Sequence, residues 1–166
     1  MRNRHGFIKS ERIVSQKLID ELFTGGQGHS LTAFPLRAVY LLTQQKPSAE
    51  AVAATSTSAP IITTNAHPTE AKPVAQLLLS VPKRRFHHAV DRNRVKRQLR
   101  EAYRTSRHML TDHVPADKQV ALAFIWMADK HFPSADVAQR VQQLLRRIAK
   151  QITVATPLND DENPKV

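Results

Sequence analysis

Residues 83–107 read KRRFHHAVDRNRVKRQLREAYRTSR. They hold ten Lys or Arg against two acids, Asp91 and Glu101, and so carry +8 of a formal net charge of +11. Like charges on one short element repel, and a concentration of this kind is costly unless a polyanion neutralises it. The same letters also set the local structure. At 100° per residue, Val95, Leu99, Ala102 and Tyr103 fall within one arc of roughly 100°. Lys96, Arg107, Arg100, Arg104 and Arg97 fill the next arc, also about 100° wide, with Arg92 near the border and Arg94 on the far side. The spacing predicts a helix capped by His88 or Asp91 and running to about Arg107, with an apolar face for a sheet and a cationic face for a nucleic acid. Eight of the ten cations are Arg, whose planar fork pairs two phosphate oxygens or stacks on a base. Asn93, a donor and acceptor among cations, suits a sugar hydroxyl or a base edge.

Outward from this helix the chain alternates between periodic segments and one anomalous stretch. Residues 15–23, SQKLIDELF, read as a short helix with Ser15 as N-cap and Leu18, Ile19, Leu22 and Phe23 on one face. Gly25 and Gly26 are expected to stop it. Residues 34–42, FPLRAVYLL, read as a strand with Phe34, Leu36, Ala38 and Tyr40 on one side, and Pro35 marks an edge or entry position. The apolar runs at 76–81 and 119–126 read as two more strands. Val137, Val141, Leu144, Leu145, Ile148 and Ile152 recur at helical spacing after Ser134, a candidate cap. Residues 43–75 carry four Pro, many Ala, Ser and Thr, and no Phe, Trp or Tyr. That composition cannot bury enough apolar surface to offset the entropy of ordering it. The stretch reads as a disordered insertion between two strands of a domain spanning 1–152, with 153–166 as a flexible tail. The expected architecture is α+β: helix, strand, strand, basic helix, strand, helix. A hairpin of 34–42 with 76–81, extended by a third strand, packs against helices on one face.

The 166 residues suit one domain, and 41% apolar content suffices for one core. The chain has no cysteine, which excludes disulfides and thiolate metal sites and fits a cytoplasmic location. No apolar run reaches 18 residues, so no membrane span is expected. No secretory signal is expected either, because no apolar stretch follows the basic N-terminus.

The string at 81–104, VPKRRFHHAVDRNRVKRQLREAYR, resembles the signature of the protein subunit of bacterial ribonuclease P. In that family a Lys/Arg pair follows a strand, and after a spacer comes Ala-Val-x-Arg-Asn-Arg-x-Lys-Arg and a further Arg. Here these are Lys83 and Arg84, then Ala89, Val90, Arg92, Asn93, Arg94, Lys96, Arg97 and Arg100. The resemblance covers residues 5–42 and 76–152. It departs from the family at Leu78, where a small residue is common, and in the length of the insertion. It implies one domain of order αβββαβα, a small mixed sheet of about four strands with a left-handed β-α-β crossover, like ribosomal protein S5 domain 2. It further implies that the basic helix faces a catalytic RNA subunit and that a cleft between sheet and first helix holds the 5′ leader of precursor tRNA. The RNA-binding set is then Lys83, Arg84, Arg85, Arg92, Asn93, Arg94, Lys96, Arg97, Arg100 and Arg104. Phe23, Phe34 and Tyr40, with Ile19 beside them, are placed at the cleft, where aromatic rings could stack on a single strand.

No catalytic residue is expected in the protein. Its carboxylates are scattered, whereas metal-assisted phosphodiester hydrolysis needs them clustered. Adjacent His87 and His88 do not share a helix face, which argues against a metal pair. The resemblance assigns the Mg²⁺ of the holoenzyme mainly to the RNA, and no obligate protein partner is expected. The alternative readings are a non-enzymatic ribosomal or RNA-chaperone protein, a major-groove DNA binder and a membrane-surface helix. The DNA reading lacks a dimerisation heptad and a helix-turn-helix, and the membrane reading lacks a Trp-bearing apolar face.

Overall fold

In the computed structural model the described residues are 7, 9–44 and 73–155. The expectations for residues 45–72 and 156–166 fall outside them. After a 3-10 turn at Lys9–Glu11, the order is α1 (Gln16–Thr24), β1 (His29–Ala33), β2 (Leu36–Gln44), β3 (Ala75–Ser80), α2 (Ala89–Ser106), α3 (His108–Thr111), β4 (Lys118–Trp126) and α4 (Ser134–Ala155).

The four strands form one sheet in the order β1-β2-β4-β3. β2 runs antiparallel to both β1 and β4, whereas β3 and β4 are parallel. The expected hairpin of 34–42 with 76–81 does not form, because β4 lies between them. Val120, Ala121, Leu122, Ala123 and Phe124 are all buried. A strand that is apolar at both parities needs cover on both faces and therefore takes a central position. Parallel pairing of β3 with β4 requires a crossover, and α2 supplies it.

β1 is the strand that the residues alone do not announce. His29–Ala33 is short, mostly exposed and on the sheet edge, so its hydrophobic alternation is faint. Ala33 pairs with Leu36, which puts Phe34 and Pro35 in a two-residue turn rather than in the strand. Their peptide bond is cis.

The two sheet faces differ. On one, α2 and α4 cover Leu36, Ala38, Tyr40, Leu77, Leu122, Phe124 and Trp126 with Val95, Leu99, Tyr103, Val141, Leu144, Leu145 and Ile148. On the other, α1 alone covers Val39, Leu41, Ala121 and Ala123 through Leu18, Ile19 and Leu22, with Ile13 from the preceding loop. Because α1 has only nine residues, Leu78 and Ile125 on that face stay partly open. Those two side chains are the open part of the sheet face beside the helix.

The caps follow the chain's punctuation with two corrections. The Gly25 N–H donates to the Glu21 carbonyl at 3.1 Å, and Gly26 follows with φ 68°, the left-handed conformation that glycine adopts without cost. Ser15 and His88 occupy N-cap positions without side-chain cap bonds. Ser134 is the first residue of α4 instead of its cap, and its hydroxyl accepts from Gln98 Nε2 at 3.0 Å. α4 continues to Ala155, a turn beyond Ile152.

Candidate nucleic-acid interface

Val95, Leu99, Ala102 and Tyr103 are buried against the sheet, as their spacing predicts. Burial pushes the Tyr103 phenol well above its ordinary range. With that arc fixed, the cationic arc must face outward. The cations then divide by what they touch.

Lys83, Arg84, Asn93, Arg94 and Arg97 are exposed. Among the described residues none of these four cations forms an ion pair. Val90, Asn93, Arg94 and Arg97, with Gln98 and Ser134, line an open groove of about 460 Å³ where α2 meets the start of α4. Lys96 and Arg100 turn towards the β3 edge. There, with Phe7, Arg12 and Leu77–Leu79, they line a smaller hollow of about 180 Å³. The guanidinium carbons of Arg12 and Arg100 lie 5.7 and 6.0 Å from the Phe7 ring centre, close enough for cation–π attraction. This hollow joins the cationic face of α2 to the half-open sheet face beside α1.

The other predicted cations are engaged within the protein. Arg104 lies against Glu101 at 2.5 Å, and the Glu101 carboxyl is held below its usual range by that hydrogen bond. Arg85 pairs with Asp129 at 2.8 Å. Arg107 pairs with Glu11. Arg92 donates to the carbonyls of Phe86 at 2.8 Å and His87 at 2.7 Å. It thereby ties the β3–α2 loop to the first turn of α2. This guanidinium, expected among the RNA contacts, shapes the loop that presents Lys83 and Arg84. Arg92→Ala is expected to cost about 1.5–3 kcal/mol in urea unfolding, because hydrogen bonds to a charged donor are lost. The dependence of RNA affinity on salt should stay as steep as in the parent. A slope shallower by about 1 would instead mark Arg92 as a phosphate contact.

Asp91 is in the first turn of α2, where a carboxylate suits the helix dipole. It meets His131 Nε2 at 3.0 Å. The His131 ring stacks on Phe86, centroids 4.7 Å apart. The β4–α4 loop is thus clamped onto the start of the basic helix through Asp129 and His131. Sequence reading missed both, along with Phe7 and Arg12, because each acts on a partner remote in the chain. Among the described residues no group of three or more His, Asp or Glu is arranged to hold a metal ion.

The leader-cleft residues divide too. Phe23 lies on α1 and is 48% exposed. Tyr40 does not reach the α1 face. Strand alternation turns it with Ala38 towards α4, and Val39 and Leu41 take the α1 side. Tyr40 is 2% exposed, its hydroxyl donates to Gln151 Oε1 at 2.6 Å, and His29 stacks on it at 5.3 Å. Burial raises its phenol pKa. Tyr40→Phe should therefore cost about 0.5–1.5 kcal/mol of stability, the usual net value of one hydrogen bond. Affinity for leader-bearing RNA should not move; a drop beyond the loss of folded protein would return Tyr40 to the cleft. Phe34 sits in the β1–β2 turn, 57% exposed, against Phe132. It lies at the sheet end on the α4 side, also away from the α1 face.

These features can be set beside known proteins. The family model described as Ribonuclease P matches residues 7–152. Ribonuclease P protein components from two strains of Porphyromonas gingivalis are 32% and 34% identical over 157 residues, covering 93% of this chain and 95% of each relative. Two solved structures share the fold. One is a Staphylococcus aureus RNase P protein mutant described as defective in mRNA degradation, with TM-score 0.52, 18% identity and coverage of 86% of this chain and 90% of that one. The other is the RNase P protein from Thermotoga maritima, with TM-score 0.52, 17% identity and coverage of 83% and 97%. A family model spanning most of the chain and relatives matched nearly end to end agree with the Lys-Arg and Arg-Asn-Arg elements found on the exposed loop and face of α2: the chain belongs to the family of ribonuclease P protein components.

Proposed function

We propose that this subunit of the ribonuclease P enzyme binds the catalytic RNA through the outward face of α2 and assists that RNA in cutting the 5′ leader from precursor tRNA. The observation that carries the reading is the cluster of Lys83, Arg84, Arg94 and Arg97, exposed and free of ion pairs among the described residues, on a helix whose opposite face is fixed in the core. Such cations neutralise phosphates and release counterions. The partly open side chains of Leu78 and Ile125 beside α1, the first of which also lines the Lys96–Arg100 hollow, mark where a single strand would continue. Both side chains are aliphatic, and Phe23, exposed on α1, is the candidate stacking ring.

The carboxylates nearest α2 do not suit a Mg²⁺ site, because Asp91, Glu101 and Asp129 each face a basic side chain. The proposal therefore places the hydrolytic metal in the RNA and gives the protein phosphate neutralisation, strand grip and RNA stabilisation. No helix among the described residues is long and apolar enough to cross a membrane, and the cytoplasm is the proposed site of action.

The test is precursor-tRNA cleavage at low Mg²⁺ with the protein, the catalytic RNA of the same genome, or both. Cleavage to a mature 5′ end by the mixture alone is expected. A protein that adds nothing to the RNA would leave only general RNA binding.

A further inference from the structure

The end of the sheet where β2 begins and β3 and β4 finish gathers three loops: the β1–β2 turn, the β3–α2 loop and the β4–α4 loop. On it Trp126, Phe132 and Phe34 form a chain of edge-to-face rings, with centroids 5.8 and 5.9 Å apart. Trp126 is fully buried and Phe132 partly so, while Phe34 is exposed. A single T-shaped contact leaves much of the Phe34 ring open to solvent. Pro35 beside it is buried, so the turn is anchored without the Phe34 ring.

The surroundings are cationic. Lys130 Nζ lies 5.3 Å from the Phe132 ring centre. Lys83 and Arg84, on the neighbouring loop, form no ion pair among the described residues, and neither does Lys130. Of the acids at this end, Asp129 pairs with Arg85 and Asp91 meets His131, while Asp136 lies in the first turn of α4. An exposed aromatic ring at the same end of the sheet as these cations suits a base carrying its own phosphate: the base stacks and the cations meet the backbone.

We propose that Phe34, backed by Phe132 and Lys130, is a stacking site for an unpaired RNA nucleotide, separate from the sheet face beside α1. The inference rests on the RNA-binding reading above. The nucleotide belongs either to the leader of the substrate or to a single-stranded segment of the catalytic RNA, and the two sources share the same chemistry.

The test uses the full chain with Phe34→Ala, Phe34→Leu and Phe34→Trp, and Arg97→Ala alongside. Binding is measured to the catalytic RNA, and by the assembled holoenzyme to precursor tRNA with and without its leader. Phe34→Ala and Phe34→Leu should each weaken one of these by about fivefold to tenfold, the low end of what one stacked base contributes. Phe34→Trp should restore it. Loss confined to leader-bearing RNA assigns the base to the leader; loss in assembly assigns it to the catalytic RNA. Leucine keeps apolar area but cannot stack, so parent-like binding by Phe34→Leu overturns the proposal. So does parent-like binding by all three variants while Arg97→Ala binds weakly, an outcome that leaves the RNA-binding reading intact. If the parent chain binds none of these RNAs, both fall together.

Discussion

Replacing Arg94 and Arg97 together by alanine should weaken binding to the catalytic RNA by at least about a hundredfold near physiological salt, since each charge-assisted bond contributes about 1.5–3 kcal/mol. The fold should survive, because both side chains are exposed and neither forms an ion pair among the described residues. Arg104→Ala should cost much less affinity, since its guanidinium already faces Glu101. The ranking follows from geometry, because all three arginines lie on the same helix. A phosphate must displace a carboxylate from Arg104, whereas at Arg94 and Arg97 it displaces only water and counterions. Salt gives an independent check. Removing two phosphate contacts should flatten the slope of log affinity against log salt by roughly 1.4–1.8. Titrations between about 50 and 200 mM salt measure both quantities. Parent-like affinity with an unchanged slope would move the RNA interface off this face.

How far the sequence alone leads depends on the distance over which each interaction acts. The inward arc of α2, the apolar stripe of α4 and the glycine stop of α1 are periodic or local, so they can be read directly. β4 also announces itself as a strand, but its central place depends on having both faces covered, which the pattern of one segment does not show. The edge strand β1 has too few buried side chains to leave a pattern. Face assignment along β2 is legible only once Pro35 is known to lie in the turn: Leu36, Ala38 and Tyr40 do share a face, and it is the α4 face. The site was legible as a set of cations and illegible in its division of labour. Arg85 is drawn to Asp129, 44 residues away, and Arg92 to the carbonyls of the preceding loop. Nothing in a run of arginines distinguishes those that hold the loop from those left open to solvent.

Leu99→Ala should have the largest effect on stability, about 2–5 kcal/mol, the range for truncating a fully buried leucine. Leu99 is fully buried at the centre of the arc that seats α2. Its neighbours Val95, Ala102 and Tyr103 are held by the same contact surface, and Tyr103 carries the packing on to Phe124, ring centres 6.5 Å apart. Little else holds this helix at its sheet-facing side, since the remaining two thirds of its circumference are largely polar. The cationic face is thus only as well positioned as the apolar face beneath it. Urea unfolding measures the loss directly. RNA binding tests the coupling: at low temperature, where the variant is still folded, its affinity should fall while its salt slope keeps the parent value, because the same phosphates are met by a less firmly seated helix. Leu99→Met, which conserves volume, should recover most of both losses. A Leu99→Ala protein as stable as its parent would show that α2 is held by its loops and not by its apolar arc.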